Sequence, residues 1–481
     1  MVRIRLSMLV GGIFQGVMRP QRMSGLDDSF LSLETATQPL QVFSVVELDP
    51  STVPGGYSFE KFRDALSVRL RAVPEFREKA SDPFPNLDFP VWEEDVDFDV
   101  DRHVHRIGVP APGGRQELQQ LCGYLAGLRL DHTRPLWEMW VIEGLAGGRV
   151  AVLLLVHHAA ADGVTFADFL DRLCSAEPDP APPALIPAAP AVGRWRIALD
   201  GLTRFIRRPL RMAALLPAGV RALVETARRS RAGRTMAAPF SGPRTVLNDP
   251  LTAERRVAFA RLDLADVKKV ARHFGVKVND VMMALVGGQA RRFLLDRGEL
   301  PATSLTALVP VSAHGLAECT ARNQVSGIYA RLETQIADPV ERLRTIAASS
   351  VIAKEHSAAL GTLLNDLGEV IGPLPLAVAK RVYGRVTRVR PMYNIVVSNV
   401  PGIDAPYFLG AKVCEMYMFG PVMLGVGLNF TLFSVNGYLH IAVISCPEMV
   451  PDPGAVADGF PAALGELLAR IDGPAATSAA G

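Results

Sequence analysis

The stretch RVAVLLLVHHAAADGVTF, Arg149 to Phe166, decides how the chain is read. Seven apolar residues, Val150 to Val156, run directly into two histidines, three alanines, an aspartate and a glycine. A short run of leucine and β-branched residues bounded by glycines predicts a strand. With no polar position in it, that strand reads as buried. The spacing predicts that the strand ends near Val156 and leaves His157 and His158 on the following loop, where a side chain can face a cleft. Asp162 comes four residues after His158, one turn if the loop coils. Gly163 permits either a special backbone geometry or a close approach that a side chain would block.

Outward from this stretch, helical and strand patterns alternate from Leu26 to about Cys174. YSFEKFRDALSVRLRAVPEFR carries its apolar residues at helical spacing, and the alternation predicts an α/β layer. Composition then shifts at SAEPDPAPPALIPAAPAVG, where six prolines between Glu177 and Pro190 exclude a helix interior or a central strand. The segment Arg194 to Arg234 follows, with eleven arginines against Asp200 and Glu225, a local charge of +9 in a chain of net +2. Trp195, Leu199, Leu202, Phe205, Ile206 and Leu210 interleave with those arginines, in stretches expected to break at Pro209 and Pro217. Two readings stand: a basic amphipathic surface for an anionic membrane or lipid particle, or a solvated helix packed on the protein. One charged segment without a recognised reading module does not point to nucleic acid.

A second α/β half begins near Arg255. ADVKKVARHFGVKVNDVMMALVGGQARRFLLDRG predicts a helix, a turn at Gly275 and a longer helix entered at Asn279 and Asp280. Strand-like runs follow at LTALVPVS, NQVSGIYARLE, YNIVVSNVP and LHIAVISC. The expected organisation is an extension at 1–23, a first lobe at 24–174, a proline-rich then arginine-rich crossover at 175–248, a second lobe at 249–473 and a tail at 474–481.

A chain of 481 residues is long enough for two cores. Although 49% of residues are apolar, no run approaches the roughly eighteen needed to cross a bilayer, so no membrane-spanning helix is expected. Five cysteines, an odd number without a CxxC pair, exclude a disulfide framework and suit free core thiols in a reducing cytoplasm. The opening MVRIRLSMLVGGIFQGVMRPQRM lacks the small-residue cleavage site of a signal peptide. It reads as a weak membrane contact or as an upstream extension before a start at Met23.

The strand end places an imidazole at a lobe boundary, and three blander readings of the histidine pair compete: two satisfied structural histidines, a chance occurrence of the spacing, or a metal held by His157, His158 and Asp162. Adjacent histidines point apart on regular backbone and no further ligand cluster stands out, so no metal is expected. HHAAADG is similar to the HHxxxDG signature of CoA-dependent acyltransferases and peptide-synthesis condensation domains. Around it stand LDDSFLSLE at 26–34, FDVDRHVHR at 98–106, LDHTRPLWEMWVIEGL at 130–145, VNDVMMALVGG at 278–288, LVPVS at 308–312 and VSNVPG at 397–402. In this order they resemble the bacterial wax ester synthase/acyl-CoA:diacylglycerol acyltransferase family, from Leu26 to about Ile471.

The resemblance implies a two-lobed α/β fold like that of chloramphenicol acetyltransferase and condensation domains, with the active site between the lobes. It implies transfer of a long-chain acyl group to the hydroxyl of diacylglycerol or a long-chain alcohol, with acyl-CoA as co-substrate and no other cofactor. The expected location is cytoplasmic, peripheral on the inner membrane face or a lipid droplet. Carried onto this chain, it makes His158 the general base, Asp162 the holder of loop and ring through its charge, and His157 and Gly163 supporting members of the motif. Pro135, Leu136 and Trp137 correspond to a wall of the acyl or acceptor site, against the alternative of a buried turn with a core tryptophan. Asn279 and Asp280 sit at a helix start, where they cap it or leave its N–H groups to a developing oxyanion. Ser398 and Asn399 correspond to a strand end lining the cleft from the second lobe. Two departures stand out: SAHGLAE lacks the arginine expected after LVPVS, and Arg322 replaces a glycine before the NQVS element. Without a GxSxG elbow, direct attack is expected rather than a covalent acyl-enzyme. The alternatives are an HHxxxDG acyltransferase with another acceptor or a carrier-protein donor, and a catalytically weak lipid-surface protein.

Overall fold

The apolar run is the third strand of a seven-stranded sheet. In space that sheet runs Val104–Gly108, Trp137–Glu143, Val150–His157, Gln41–Asp49, Ala411–Phe419, Tyr407–Phe408 and Cys174–Ser175. The computed structural model describes residues 21–312, 322–360, 363–372, 386, 390–423 and 425–472; the expected 474–481 tail and most of the 1–23 extension lie outside them. Val150, Val152, Leu154 and Val156 pack into one core with Phe62, Leu66, Phe166 and Phe169. Ala151, Leu153 and Leu155 pack on the opposite face, against Leu118, Cys122 and Leu125 of the Arg115–Ala126 helix and Phe259 of the second sheet. Both faces are covered, so consecutive positions rather than alternate ones must be apolar.

The second sheet has six strands, in the order Val325–Arg331, Thr306–Ser312, Ile395–Ile403, Leu428–Val435, Tyr438–Ser445 and Arg256–Asp263. The helices Leu264–Phe274, Val278–Asp296, Pro339–Leu360 and Pro453–Asp472 pack over it. The architecture is two-lobed α/β, as expected.

Several boundaries differ from the expectation. The strand Ala411–Phe419 leaves the second half of the chain and pairs antiparallel with Gln41–Asp49 in the first sheet, so 249–473 is not one lobe. It covers a main-chain edge that would otherwise stand open. His157 is the last residue of its strand, paired with Gln41, rather than a loop residue. Gln21 and Arg22 belong to the fold rather than to an extension: they pair with Trp92 and Val91, and the Arg22 guanidinium bonds Asp200 at 2.9 Å and Ile197 O at 3.0 Å. Arg194–Arg231 is one helix of 38 residues that continues through Pro209 and Pro217. The carbonyls those prolines release belong to exposed residues 205 and 213, where water can take the place of the missing N–H.

A buried ion pair braces the lobes. Arg322 reaches across to Glu78, both side chains about 5% exposed or less, and its guanidinium lies 3.7 Å from the Trp92 ring centroid. Removing one partner leaves a charge buried alone, which costs about 3–5 kcal/mol. We expect Arg322→Ala to lose stability of that order in guanidinium denaturation; a loss below about 1 kcal/mol would show that the brace is not structural.

Candidate active site

The motif strand delivers its histidines to the seam between the lobes. His158 N donates to Leu40 O at 2.8 Å, and Ala160 N donates to His157 O at 2.8 Å, so the chain turns sharply after the strand. Asp162 then caps the Gly163–Leu173 helix, its Oδ1 accepting from Thr165 N at 2.9 Å. Gly163 serves a close approach: a Cβ there would lie 3.1 Å from Val400 Cγ2 of the second sheet.

Three successive residues of the second lobe fasten this loop. Arg322 O accepts from Thr165 Oγ1 at 2.9 Å, and Gln324 N donates to Asp162 Oδ2 at 2.9 Å. Between them, Asn323 Nδ2 donates to His158 O at 2.8 Å and to Asp27 Oδ1 at 2.8 Å, while Asn323 Oδ1 lies 3.0 Å from His158 Nδ1. Asp27 also accepts from Asn323 N at 3.0 Å, and it sits in a capping box with Ser24 at the start of the Gly25–Leu33 helix. Phe30 of that helix stacks on the His158 ring, centroids 3.9 Å apart and planes 13° from parallel.

Burial pushes the His158 pKa below its ordinary value, and the nearby Asp162 charge opposes that shift. The ring is therefore neutral, in its proton-accepting form, at neutral pH. His157 is a different kind of residue. Its side chain is fully buried, its Nδ1 accepts from Ala159 N at 3.0 Å, and burial pushes its pKa down to about 3.

His158 lines a cavity of about 220 Å³ between the sheets, walled by Phe30, Val42, Leu308, Val396, Met418 and Phe419 among others. A second cavity, about 320 Å³, shares Gly163, Pro310, Val325, Ser398 and Val400 with the first. Asn279 and Asn399 line this second one, and Asn399 Nδ2 donates to Asn279 Oδ1 at 3.3 Å. His158, Gly163, Ser398, Asn399 and Asn279 thus converge. Asp280 instead caps its helix, accepting from Lys277 N at 3.0 Å.

Pro135, Leu136 and Trp137 do not join them; they are not among the described residues lining either cavity. Leu136 and Trp137 are buried in the first lobe, Trp137 Nε1 donating to Phe76 O at 2.8 Å and its ring stacking on Phe76 and His103. The segment SAHGLAE lies outside the described residues beyond Ser312. Arg322 turns away from the cavity into its ion pair with Glu78. Sequence reasoning missed Asp27, Phe30 and Asn323, although LDDSFLSLE and RNQVSG, which contain them, were in view.

The ligand set His157, His158 and Asp162 does not form. Among the described residues, Glu34, His132 and His157 bring donor atoms within 4.8 Å of one another. This set does not fit a cation. Because His157 Nδ1 accepts a backbone N–H, its Nε2, 3.8 Å from Glu34, carries the proton and has no lone pair to give a metal. Glu34 is instead matched by His132 at 2.7 Å and Arg129 at 3.3 Å; burial raises its pKa, and these contacts outweigh burial and hold it at about 2.

Comparison with known proteins adds the following. Residues 23–282 match the wax ester synthase/diacylglycerol acyltransferase catalytic domain, and residues 322–468 match the C-terminal domain of that family. A Mycobacterium tuberculosis protein named as a diacylglycerol O-acyltransferase is 49% identical over 456 residues, 94% of this chain and 91% of its own. Another from the same species is 33% identical over 463 residues, 93% of this chain and 97% of its own. The solved wax ester synthase/diacylglycerol acyltransferase of Marinobacter aquaeolei VT8 superposes with a TM-score of 0.69 at 26% identity, covering 94% of this chain and all of that one. The first condensation domain of the calcium-dependent antibiotic synthetase shares the fold, with a TM-score of 0.56 at 16% identity over 94% of this chain and 97% of its own.

By NMR titration we expect the His158 ring to protonate below about 6.5, the ordinary histidine value. Asp162→Asn, by removing the charge that opposes burial, moves the transition to still lower pH. A midpoint at or above the ordinary value contradicts this account of the site.

Proposed function

The chain belongs to the wax ester synthase/diacylglycerol acyltransferase family and is an acyltransferase, and from that premise we propose that His158 is the general base of acyl transfer from a long-chain acyl-CoA to a hydroxyl of diacylglycerol or a long-chain alcohol. The observation that carries this reading is the neutral His158 ring at the wall of an apolar cavity between the lobes. An alcohol is a poor nucleophile until its proton has an acceptor. His158 takes that proton as the hydroxyl oxygen bonds to the thioester carbonyl carbon. The tetrahedral adduct then expels the thiolate of CoA, and the imidazolium returns the proton to sulfur, which leaves the ester, free CoA and a neutral ring. No covalent acyl-enzyme is required.

Two adjoining cavities give donor and acceptor separate approaches to one ring. The larger carries Lys354, a cation suited to the phosphates of CoA, and we assign the donor to that side. The smaller, with Phe30, Met418 and Phe419, suits an apolar acceptor chain.

The same reading includes attachment to an anionic membrane or droplet surface. No described helix is long and apolar enough to cross a membrane. On the Arg194–Arg231 helix, however, Trp195, Leu199, Leu202, Ile206 and Leu210 are exposed at spacings of three and four. Arg196, Arg207 and Arg211 are exposed beside them and make no ion pair among the described residues. Apolar side chains flanked by arginines fit the headgroup boundary of a bilayer.

Labelled palmitoyl-CoA offered with diacylglycerol and hexadecanol in competition tests the reaction, and the separated products name the acceptor. His158→Ala is expected to lower thioester turnover by roughly 10²–10⁴ while the protein stays folded; unchanged turnover removes His158 from the mechanism. In flotation with phosphatidylglycerol vesicles we expect binding that survives His158→Ala and is lost on replacing Arg196, Arg207 and Arg211 with glutamine. Retention of binding in that triple variant rules the helix out as the anchor.

A further inference from the structure

A general base needs one imidazole nitrogen free and the other held, and the sequence offered Asp162 for the holding. The geometry points elsewhere. Asp162 Oδ1 caps the Gly163–Leu173 helix and its Oδ2 accepts from Gln324 N, whereas His158 Nδ1 faces Asn323 Oδ1 at 3.0 Å. The orientation of the Asn323 amide follows from its surroundings. Its Nδ2 faces three oxygens: the main-chain carbonyls His158 O at 2.8 Å and Ala159 O at 3.3 Å, which can only accept, and Asp27 Oδ1 at 2.8 Å, which already accepts from Asn323 N. Turning the amide over would set its oxygen against all three. With Nδ2 committed, Oδ1 has to face the ring, and a carbonyl oxygen accepts without donating. The proton of the neutral ring therefore sits on Nδ1 and the lone pair on Nε2.

We infer that Asn323 and Asp27 are positioning residues that set the tautomer of His158. Asp27 fixes Asn323 through its side chain and its main-chain N–H, and Asn323 passes that constraint across the lobe boundary to Nδ1. Asp27 is itself held by Ser24 at the start of the helix whose Phe30 stacks on the ring. One short helix thus controls both the plane of the base and its protonated edge. In Ser-His-Asp triads a carboxylate performs this orienting role; here a neutral amide touches the ring and the Asp27 carboxyl group stands behind it. The arrangement avoids placing a second anion beside Asp162 while still selecting one tautomer.

The inference rests on the general-base reading, but its first test is independent of turnover. In the intact protein, ¹⁵N NMR of His158 at neutral pH is expected to report protonated Nδ1 and unprotonated Nε2; the opposite tautomer overturns the assignment. Asn323→Ala is expected to mix the two tautomers and to lower kcat roughly 10²-fold, with KM for acyl-CoA and acceptor within about threefold. A folded Asn323→Ala protein with kcat within about threefold of the parent also overturns it. Asp27→Asn keeps an acceptor oxygen for Asn323 and is expected to retain a single tautomer and most of kcat, whereas Asp27→Leu is expected to match Asn323→Ala. An Asp27→Leu protein that is folded by circular dichroism and keeps a single tautomer with kcat within about threefold of the parent removes Asp27 from the chain.

Discussion

The site depends on one grip: Arg322, Asn323 and Gln324 of the second lobe closing on the loop after the motif strand. Each of the three residues uses a different group: a carbonyl for Thr165, a side-chain amide for His158, and a main-chain N–H for Asp162. The loop between His158 and Gly163 is short and made largely of alanine, so it has little of its own to hold it in shape. His157 takes the N–H groups of Ala159 and Ala160, while Ala159 O and the Asp162 carboxyl find partners across the seam, where an unpaired buried group would cost about 1–3 kcal/mol. Docking of the lobes and construction of the site are therefore one event.

Electrostatics around the two histidines divides their work. His157 is buried beyond reach of solvent, kept neutral, and committed at Nδ1 to the turn, so it shapes the loop. Glu34 remains anionic nearby because Arg129 and His132 compensate its burial. His158, one residue later, is neutral for the same reason of burial, but it opens onto an apolar cavity. Adjacent residues pointing to opposite environments is what a strand end provides, and it lets one sequence pair supply both a scaffold and a reactive ring.

Much of this was legible in the sequence because period and length carry physical information. Val150 to Val156 read as a buried strand, and the strands at Thr306–Ser312, Val325–Arg331, Ile395–Ile403 and Tyr438–Ser445 stand where apolar runs put them. The quoted motifs brought His158, Gly163, Asn279, Ser398 and Asn399 to one seam. What escaped was decided by tertiary pairing. Nothing local in AKVCEMYMF tells a strand of the second half to finish the first sheet. Trp137 looks the same in sequence whether it walls a substrate or fills a core, and the core won through its bonds to Phe76 and His103. Pro209 and Pro217 signal a break only where the released carbonyls lack water. Asn323 and Asp27, 296 positions apart, have no signature as a pair.

The strand exchange at Ala411–Phe419 has a mechanical consequence. Its ladder with Gln41–Asp49, from Lys412 against Asp49 to Phe419 against Phe43, is main-chain bonding inside the first sheet contributed by the other half of the polypeptide. Swinging the halves apart on a hinge would tear that ladder, so wide clamshell opening is not a low-energy motion of this molecule. Access to the two adjoining cavities then has to come from local shifts of side chains and loops around them rather than from the movement of whole lobes.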